Sequence, residues 1–184
     1  MTTTVSPVLA AAYQGDLARA AELAAGRELD IFEATVLGDG PRVEQLLGAD
    51  PARLRAVTAD GWSPLHLAGF FGRAELARRF LALGADPAAP SANYMTNTAL
   101  HAALAGARDR TTVEVIARAL PDPDIRAAAG YTPLMLAASR GDGALVELLM
   151  GMGADPGVRS DDGKTAADYA GEHGHAEVAA RLRA

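Results

Sequence analysis

The chain of 184 residues contains no cysteine. It therefore forms no disulfide, no thiolate nucleophile and no cysteine-ligated metal site, which fits a reducing compartment. No stretch approaches the roughly 18 consecutive apolar residues of a membrane span. Residues 1–12 also lack the basic start and long apolar stretch of a signal peptide. We therefore predict a soluble, cytoplasmic protein with no membrane partner.

Aromatic residues and positive charges are also scarce. Aromatic residues make up 5% of the chain, although 49% of its residues are hydrophobic. A core of this composition consists mainly of Ala, Leu and Val, which suit closely packed helices. The formal net charge of -6 opposes phosphate binding, so nucleic acid is not an expected partner. Only one of the 17 basic residues is a lysine, and alanine is abundant. Both features indicate a GC-rich, bacterial genome.

A four-residue motif recurs along the chain. Its copies are Ser63-Pro64-Leu65-His66, Thr98-Ala99-Leu100-His101, Thr132-Pro133-Leu134-Met135 and Thr165-Ala166-Ala167-Asp168, at spacings of 35, 34 and 33 residues. A turn glycine precedes three copies by two residues, and Thr96 takes that place before the second copy. A period of this length indicates supersecondary units that stack on one another.

Each copy of the motif predicts a helical hairpin. Ser or Thr caps the first helix, and Pro at the next position has its φ preset and needs no donor there. Small residues such as Ala68 allow close helix packing, and glycines such as Gly72 allow a tight turn into a second helix. The second helix carries apolar residues three and four apart, for instance Val146, Leu149 and Met150. One hairpin cannot bury these residues, so the sequence predicts stacked hairpins.

The motif, its period and the recurring breaks Gly84-Ala85-Asp86-Pro87 and Gly153-Ala154-Asp155-Pro156 together resemble the ankyrin repeat. The resemblance implies an all-α fold, an α-solenoid of helix-turn-helix repeats with projecting β-turn finger loops. It covers most of the chain, so we expect one domain over residues 1–184. The expected units are an N-terminal capping hairpin at 6–26, a short repeat at 31–57, full repeats at 58–92, 93–126 and 127–159, and a C-terminal capping repeat at 160–184.

The unit at 93–126 departs most from the pattern. Pro90 to Tyr94 adds about two residues to its finger, and Ala105 to Thr112 adds about one residue to the turn between its helices. In the last unit Asp168 replaces the histidine of the motif. The 93–126 unit is thus the least regular, and we expect it to be the most important for function.

The resemblance also implies that a protein partner meets the finger tips and the concave face formed by the first helices. Transferred by position, the candidate partner-binding residues are Asp60, Trp62, Phe70, Phe71, Tyr94, Met95, Asn97, Tyr131, Ser139, Arg140, Asp161, Asp162, Lys164, Glu172 and His173. Five of the nine aromatic residues of the chain belong to this set. Aromatic residues and arginine tend to dominate interface energies.

These five aromatic residues allow two interpretations. In the first, Trp62, Phe70, Phe71, Tyr94 and Tyr131 form one exposed cluster that contacts the partner. In the second, the two phenylalanines pack between adjacent first helices, while the tryptophan and Tyr131 cover the finger backbone of a neighbouring unit. The sequence favours partial exposure at the loop tips and leaves the phenylalanine pair open.

No catalytic or metal-binding pattern stands out. The resemblance implies that His66 and His101 tie one finger to the next, and the hydroxyls of the motif act as helix caps. The residues Glu172, His173 and His175 lie on one turn without the further ligands that a metal site requires. We therefore expect no metal, no cofactor and no enzymatic activity.

The leading prediction is a monomeric, non-catalytic protein-protein interaction module, such as an adaptor or scaffold. A self-assembling or purely structural repeat protein is the alternative, and an enzyme or metal-binding protein is a remote one.

Overall fold

The computed structural model describes residues 5–106 and 109–184, and its regular structure there is entirely helical, with no strand in those two ranges. The α-helices are α1 (Pro7–Tyr13), α2 (Leu17–Ala24), α3 (Ile31–Leu37), α4 (Gly40–Ala49), α5 (Pro64–Phe70), α6 (Ala74–Ala82), α7 (Ala99–Ala105), α8 (Arg110–Ala119), α9 (Pro133–Ser139), α10 (Gly143–Gly151), α11 (Ala166–Glu172) and α12 (Ala176–Leu182). Two short 3-10 helices lie at Pro51–Arg55 and Ala128–Gly130.

Hydroxyl and carboxylate side chains mark the starts of the helices. Ser63 and Thr132 accept hydrogen bonds from backbone N–H groups three residues on, which confirms the caps predicted from the motif. The second helices begin differently: Asp39, Asp109 and Asp142 accept from the backbone N–H groups of the first helical turns of α4, α8 and α10. An aspartate at this position also interacts favourably with the positive end of the helix dipole.

The odd-numbered helices stack side by side in one row, from α1 to α11, and each even-numbered helix packs against its hairpin partner. Small residues allow the first helices to approach closely, since Ala68, Ala103, Ala137 and Ala170 are fully buried between them. At Gly69 a Cβ would lie 2.6 Å from the carbonyl oxygen of Ala99, so a larger residue there would push α5 and α7 apart. The fold is the expected all-α solenoid.

The N-terminal hairpin of α1 and α2 has a core of its own. Val8, Leu9 and Ala12 in α1 pack with Val36 in α3 and Leu67 in α5. The main core runs from α3 to α12 and contains the largest fully buried side chain, that of Phe80. In the described ranges no helix combines the length and the apolar character that crossing a membrane requires.

Four finger loops project from the stack in the described part of the chain, and one of them is longer than the others. The backbone N–H groups of Thr58, Ala127 and Ser160 donate to the carbonyl oxygens four residues on, at 2.8 to 2.9 Å. In the finger at 91–97 the same bond joins the Ser91 N–H to the Asn97 oxygen, six residues on, at 2.7 Å. The predicted insertion of two residues is therefore confirmed. The insertion predicted between Ala105 and Thr112 lies partly outside the described residues.

Neighbouring fingers are joined to each other through the backbone. Ala92 N–H donates to the Gly61 oxygen at 2.8 Å, and Asp161 N–H donates to the Ala129 oxygen at 3.0 Å. Ala128 N–H donates in the same way to the oxygen of Met95 at 3.0 Å. The fingers consequently form a continuous row beside the first helices, and these two rows together make the concave face.

Candidate functional site

Two buried histidines connect the first helices to the fingers. The Nε2 atom of His66 lies 2.8 Å from the carbonyl oxygen of Asn97, and that of His101 lies 3.1 Å from the oxygen of Tyr131. In each ring Nδ1 lies within 2.9 Å of the hydroxyl of the residue that opens the motif. Burial lowers the pKa of both rings, to about 4 for His101. Both are therefore neutral near pH 7, and they act as the structural ties that the resemblance implied.

Four aromatic rings gather at the N-terminal part of the concave face. The Trp62 and Phe70 ring centroids lie 5.1 Å apart, as do those of Phe70 and Phe71. The fourth ring belongs to Tyr13, whose centroid lies 6.4 Å from that of Trp62 and 5.9 Å from that of Phe71. All four residues are half-buried. The phenylalanine pair thus packs against other aromatic rings and keeps part of its surface exposed.

The hypothesis of one cluster of five aromatic residues is wrong. Tyr131 packs instead against Tyr169, with ring centroids 4.8 Å apart, and Tyr94 points into solvent with 88% of its surface exposed. Trp62 and Tyr131 follow fingers that are two units apart in the stack, whereas aromatic contacts require ring centroids within about 7 Å. The rings therefore divide into an N-terminal group, a C-terminal pair and one exposed side chain.

Tyr13 was missed by the sequence reasoning. It ends α1, and it reaches the finger at 58–62 because the intervening short repeat has no comparable finger. Burial and the neighbouring carboxylate of Asp60 raise the pKa of the Tyr13 phenol. The sequence did contain one signal for this contact. The short repeat has no finger before residue 31, so no neighbouring loop covers that side of Trp62 and another residue can pack there.

The finger at 91–97 combines exposed apolar side chains with hydrogen bonds made by Asn93. Tyr94 and Met95, the latter 42% exposed, lie at its tip. The Oδ1 atom of Asn93 accepts hydrogen bonds from the Ser91 hydroxyl at 2.9 Å and from the Met95 N–H at 3.0 Å. Asn93 Nδ2 in turn donates to the backbone oxygen of Asp60, at 2.8 Å. The apolar tip is thus held in place by side-chain bonds within its own loop and to the preceding finger.

Beside this finger the concave face contains a hollow of about 360 Å³. Its lining includes Met95, His101, Ala128, Tyr131, Leu136 and Arg140. A second hollow of about 410 Å³ lies next to the N-terminal aromatic group and is lined by Tyr13, Phe70, Phe71 and Gly106, among others. Both hollows reach Ala105. The two hollows therefore lie on either side of Ala105, at the end of α7.

The predicted site residues at the C-terminal end interact mainly with one another. Lys164 Nζ lies 2.8 Å from an oxygen of Glu172 and 3.5 Å from one of Asp162. Hydrogen bonds from Ser160 and Tyr169 lower the pKa of Asp162 to about 2. These charged groups form an exposed polar network, which is typical of a solvated surface.

The remaining candidates lie at separate places on the same face. The Ser139 hydroxyl donates to the Leu136 carbonyl oxygen at 3.0 Å, which ties it to the end of α9. Asp161 pairs with Arg126 at 2.7 Å, between two fingers. His173 is exposed, and its Nδ1 lies 2.9 Å from the carbonyl oxygen of Tyr169. The structure therefore does not bring these residues together with the finger at 91–97.

The carboxylates in the breaks between units have turn roles. Asp86, Asp122 and Asp155 each accept a hydrogen bond from the backbone N–H two residues on, at 2.7 to 2.9 Å. This arrangement is the Asx turn. Within residues 5–106 and 109–184 no group of three or more His, Asp or Glu side chains is placed to hold a metal ion.

Comparison with known proteins identifies the repeats. Residues 106–183 match the family model described as ankyrin repeats in three copies, and residues 60–92 match the ankyrin repeat model. The chain is 35% identical over 122 residues to neurogenic locus notch homolog protein 1 of Xenopus tropicalis, and 38% identical over 125 residues to human neurogenic locus notch homolog protein 4. These alignments cover 66% and 67% of this chain, and 5% and 6% of those proteins.

A bacterial relative is also similar. An ankyrin repeat-containing protein of Treponema pallidum is 35% identical over 112 residues, which covers 61% of this chain and 37% of that protein. The chain thus spans only a small part of the notch homologues. The two matched segments together cover more than half of the sequence, and their hairpins and fingers are those described above; the chain belongs to the ankyrin repeat family.

Proposed function

We propose that this protein is a non-catalytic interaction module that binds a protein partner through its finger tips and its concave helix face. Ankyrin repeats generally serve as protein-protein interaction modules. The observation that carries the proposal is the finger at 91–97, where Tyr94, 88% exposed, and Met95 lie together on a tip that side-chain hydrogen bonds hold. Covering such side chains with a partner removes apolar surface from water, and their pre-organisation reduces the ordering cost of binding.

The surface of the second helices offers a contrast that supports this assignment. Arg79 in α6 forms a bidentate ion pair with Glu44 in α4, at 2.6 and 2.9 Å. Arg181 in α12 pairs with Glu147 in α10. Exposed ion pairs between neighbouring units keep this side solvated, whereas Tyr94 and Met95 are exposed next to each other on one finger.

A photo-crosslinking experiment tests the proposed face. Tyr94 is replaced by the photoreactive residue benzoylphenylalanine, and the matched control carries the same residue in place of Leu83, which is 41% exposed at the end of α6. After irradiation in a lysate of the source cells, we expect a discrete crosslinked protein from position 94 and none from position 83. Equal crosslinking from both positions would contradict the proposal.

We also propose that the protein acts as a monomer in the cytoplasm. A chain without cysteine fits the reducing conditions there. Sedimentation velocity over a wide range of concentrations tests the monomer, which should keep one sedimentation coefficient throughout. A coefficient that rises with concentration would instead favour the alternative of a self-assembling repeat protein.

A further inference from the structure

We infer that Met95 makes binding at the finger at 91–97 sensitive to oxidation: peroxide converts its thioether to the sulfoxide, and the sulfoxide weakens the contact with the partner. This inference rests on the proposed function and names a means by which that same surface is regulated. The exposure of Met95, its apolar surroundings and the hydrogen bonds of its backbone carry the inference.

Met95 is the methionine most accessible to an oxidant in the described part of the chain. Its exposed fraction is 42%, whereas Met135 is 1% exposed and both Met150 and Met152 are half-buried. The chain contains no cysteine, so no thiol of the protein competes for the oxidant. A thioether that solvent reaches is oxidised more readily than one in the core. Peroxide should therefore react first at position 95.

The reaction consumes one molecule of peroxide. The sulfur lone pair attacks one peroxide oxygen, the O–O bond breaks, and the hydroxide that leaves takes the proton of the transferred oxygen to become water. The sulfur loses two electrons and the peroxide gains them. A methionine sulfoxide reductase restores the thioether when a dithiol supplies two electrons and two protons, and the oxygen leaves as water. The change at the sulfur is thus reversible.

The sulfoxide would form in apolar surroundings. Met95 borders the hollow of about 360 Å³ on the concave face, and Tyr131 and Leu136 supply other parts of the lining. Tyr94, 88% exposed, lies next to Met95 on the tip of the finger. Oxidation places a polar S=O group among these side chains. Covering that group with a partner removes it from water, which costs free energy unless the partner supplies a hydrogen bond. A partner that fits the thioether therefore binds the sulfoxide less tightly.

Oxidation of Met95 should leave the finger folded. Its backbone N–H donates to Asn93 Oδ1 at 3.0 Å, and its carbonyl oxygen accepts from the Ala128 N–H at 3.0 Å. Both bonds are made by the backbone, so adding an oxygen to the sulfur removes neither of them. Met135 differs because it is buried in the main core, where an added oxygen would disrupt the packing. Oxidation at position 95 thus changes the surface that a partner meets and keeps the scaffold.

Peptide mass mapping after brief exposure to hydrogen peroxide tests the reactivity. In the folded protein we expect position 95 to be oxidised at least about ten times faster than position 135. The same measurement in denaturant is the control, and there the two positions should react at similar rates. Equal rates at the two positions in the folded protein would overturn the inference.

Photo-crosslinking from position 94 measures the effect on binding. Protein with benzoylphenylalanine at this position is treated with hydrogen peroxide, freed of it by gel filtration, and irradiated in a desalted lysate of the source cells. We expect the yield of crosslinked product to fall at least about fivefold relative to untreated protein. Methionine sulfoxide reductase with dithiothreitol should restore the yield. An undiminished yield, or a loss that the reductase does not reverse, would show that the inference is wrong.

Met95→Leu is the matched control, made in the same crosslinking protein. Leucine keeps a similar apolar volume but has no sulfur to oxidise, so peroxide should leave the yield of this variant unchanged. Met95→Gln places a polar amide at the same position and should give the low yield without peroxide. If peroxide lowers the yield of Met95→Leu as much as that of the parent protein, oxidation acts elsewhere. A loss of helical circular dichroism on oxidation would equally contradict a change confined to the surface.

The two proposals fail separately. If untreated protein crosslinks a partner from position 94 and not from position 83, and oxidation changes nothing, the interaction surface is correct and the regulation is wrong. If position 94 of untreated protein crosslinks no more than position 83, the proposed function itself fails, and the inference fails with it.

Discussion

The Nε2 atom of His101 lies 3.1 Å from the carbonyl oxygen of Tyr131, 30 residues further along the chain. His101 belongs to α7, and Tyr131 closes the next finger. This side chain therefore joins one unit to the next, in addition to the backbone hydrogen bond from Ala128 to Met95. In the neutral ring that burial favours, Nε2 donates to the Tyr131 oxygen while Nδ1 accepts from the Thr98 hydroxyl.

The burial of this ring predicts that acid destabilises the protein. Burial lowers the pKa of His101 from its ordinary value of 6.5 to about 4, and burial lowers that of His66 as well. Between pH 6.5 and pH 4 the unfolded chain binds protons that the folded chain does not, so the free energy of unfolding falls as the pH falls. The expected loss is ~1.4 kcal/mol per pH unit in this window from His101 alone.

Denaturant titrations at several pH values measure that loss. The His101→Gln variant should show a smaller pH dependence than wild type, even though it is less stable overall. His173→Gln is the control, because His173 is exposed, and its pH dependence should match that of wild type. An identical slope in the His101 variant would show that another group controls the acid sensitivity. Asp162 titrates lower, between 3.8 and about 2, and does not contribute in this window.

Two glycines at equivalent places in their fingers provide a matched pair. Gly61 and Gly163 have φ values of 85° and 81°. A Cβ on Gly61 would lie 2.7 Å from the carbonyl carbon of Ala92, whereas a Cβ on Gly163 meets nothing within 4 Å. We expect Gly163→Ala to lower the free energy of unfolding by about 1 to 2 kcal/mol, because alanine is strained in the left-handed region. Gly61→Ala should lower the free energy of unfolding by at least about 1 kcal/mol more, because the neighbouring finger must move. Thermal or denaturant unfolding compares the two, and equal losses would argue against tight packing of the fingers.

Thr96 takes the place that glycine has in the other fingers, with a φ of 47°. Because a β-branched residue is strained in this region, we expect Thr96→Gly to stabilise the protein by about 0.5 to 1 kcal/mol, after the entropic cost of glycine. Ala92→Gly, in the same finger, is the control and should destabilise by up to about 1 kcal/mol. A loss of stability in Thr96→Gly, measured by denaturant unfolding, would contradict the strain.

The contact of Tyr13 with Trp62 can be followed by fluorescence. Trp62 is the sole tryptophan of the chain and is half-buried beneath the end of α1. Tyr13→Ala should expose the indole, shift its emission to longer wavelength and increase quenching by acrylamide. Tyr94→Ala, which removes an exposed ring elsewhere, should leave both properties unchanged. An unchanged spectrum in Tyr13→Ala would show that the N-terminal hairpin does not cover Trp62 in solution.

Local features of this fold were predictable from the sequence. The caps at Ser63 and Thr132 and the longer finger at 91–97 follow from residue type and spacing, because a cap needs a hydroxyl at one position and a finger closes at fixed offsets. The site was predictable in part: Tyr94 and Met95 are exposed at the tip as expected.

Features that depend on contacts between distant units were not predictable. The sequence treats Trp62 and Tyr131 as equivalent, because each follows a finger of the same pattern. Their surroundings differ. Tyr13, which belongs to a hairpin without the motif, packs on Trp62, whereas Tyr169 packs on Tyr131. Which aromatic rings contact each other therefore depends on the position of each unit in the stack, and a local sequence motif does not indicate that position.

The two additional residues in the finger at 91–97 also affect how a ligand can lie on this protein. The other three fingers have equal lengths, so a segment with evenly spaced side chains would meet each of those at the same height. At Tyr94 the surface rises, and such a segment would have to bend or stop there. If a partner binds along the row of fingers, as proposed, the longer finger would favour a segment that changes direction at Tyr94 over a straight, periodic one.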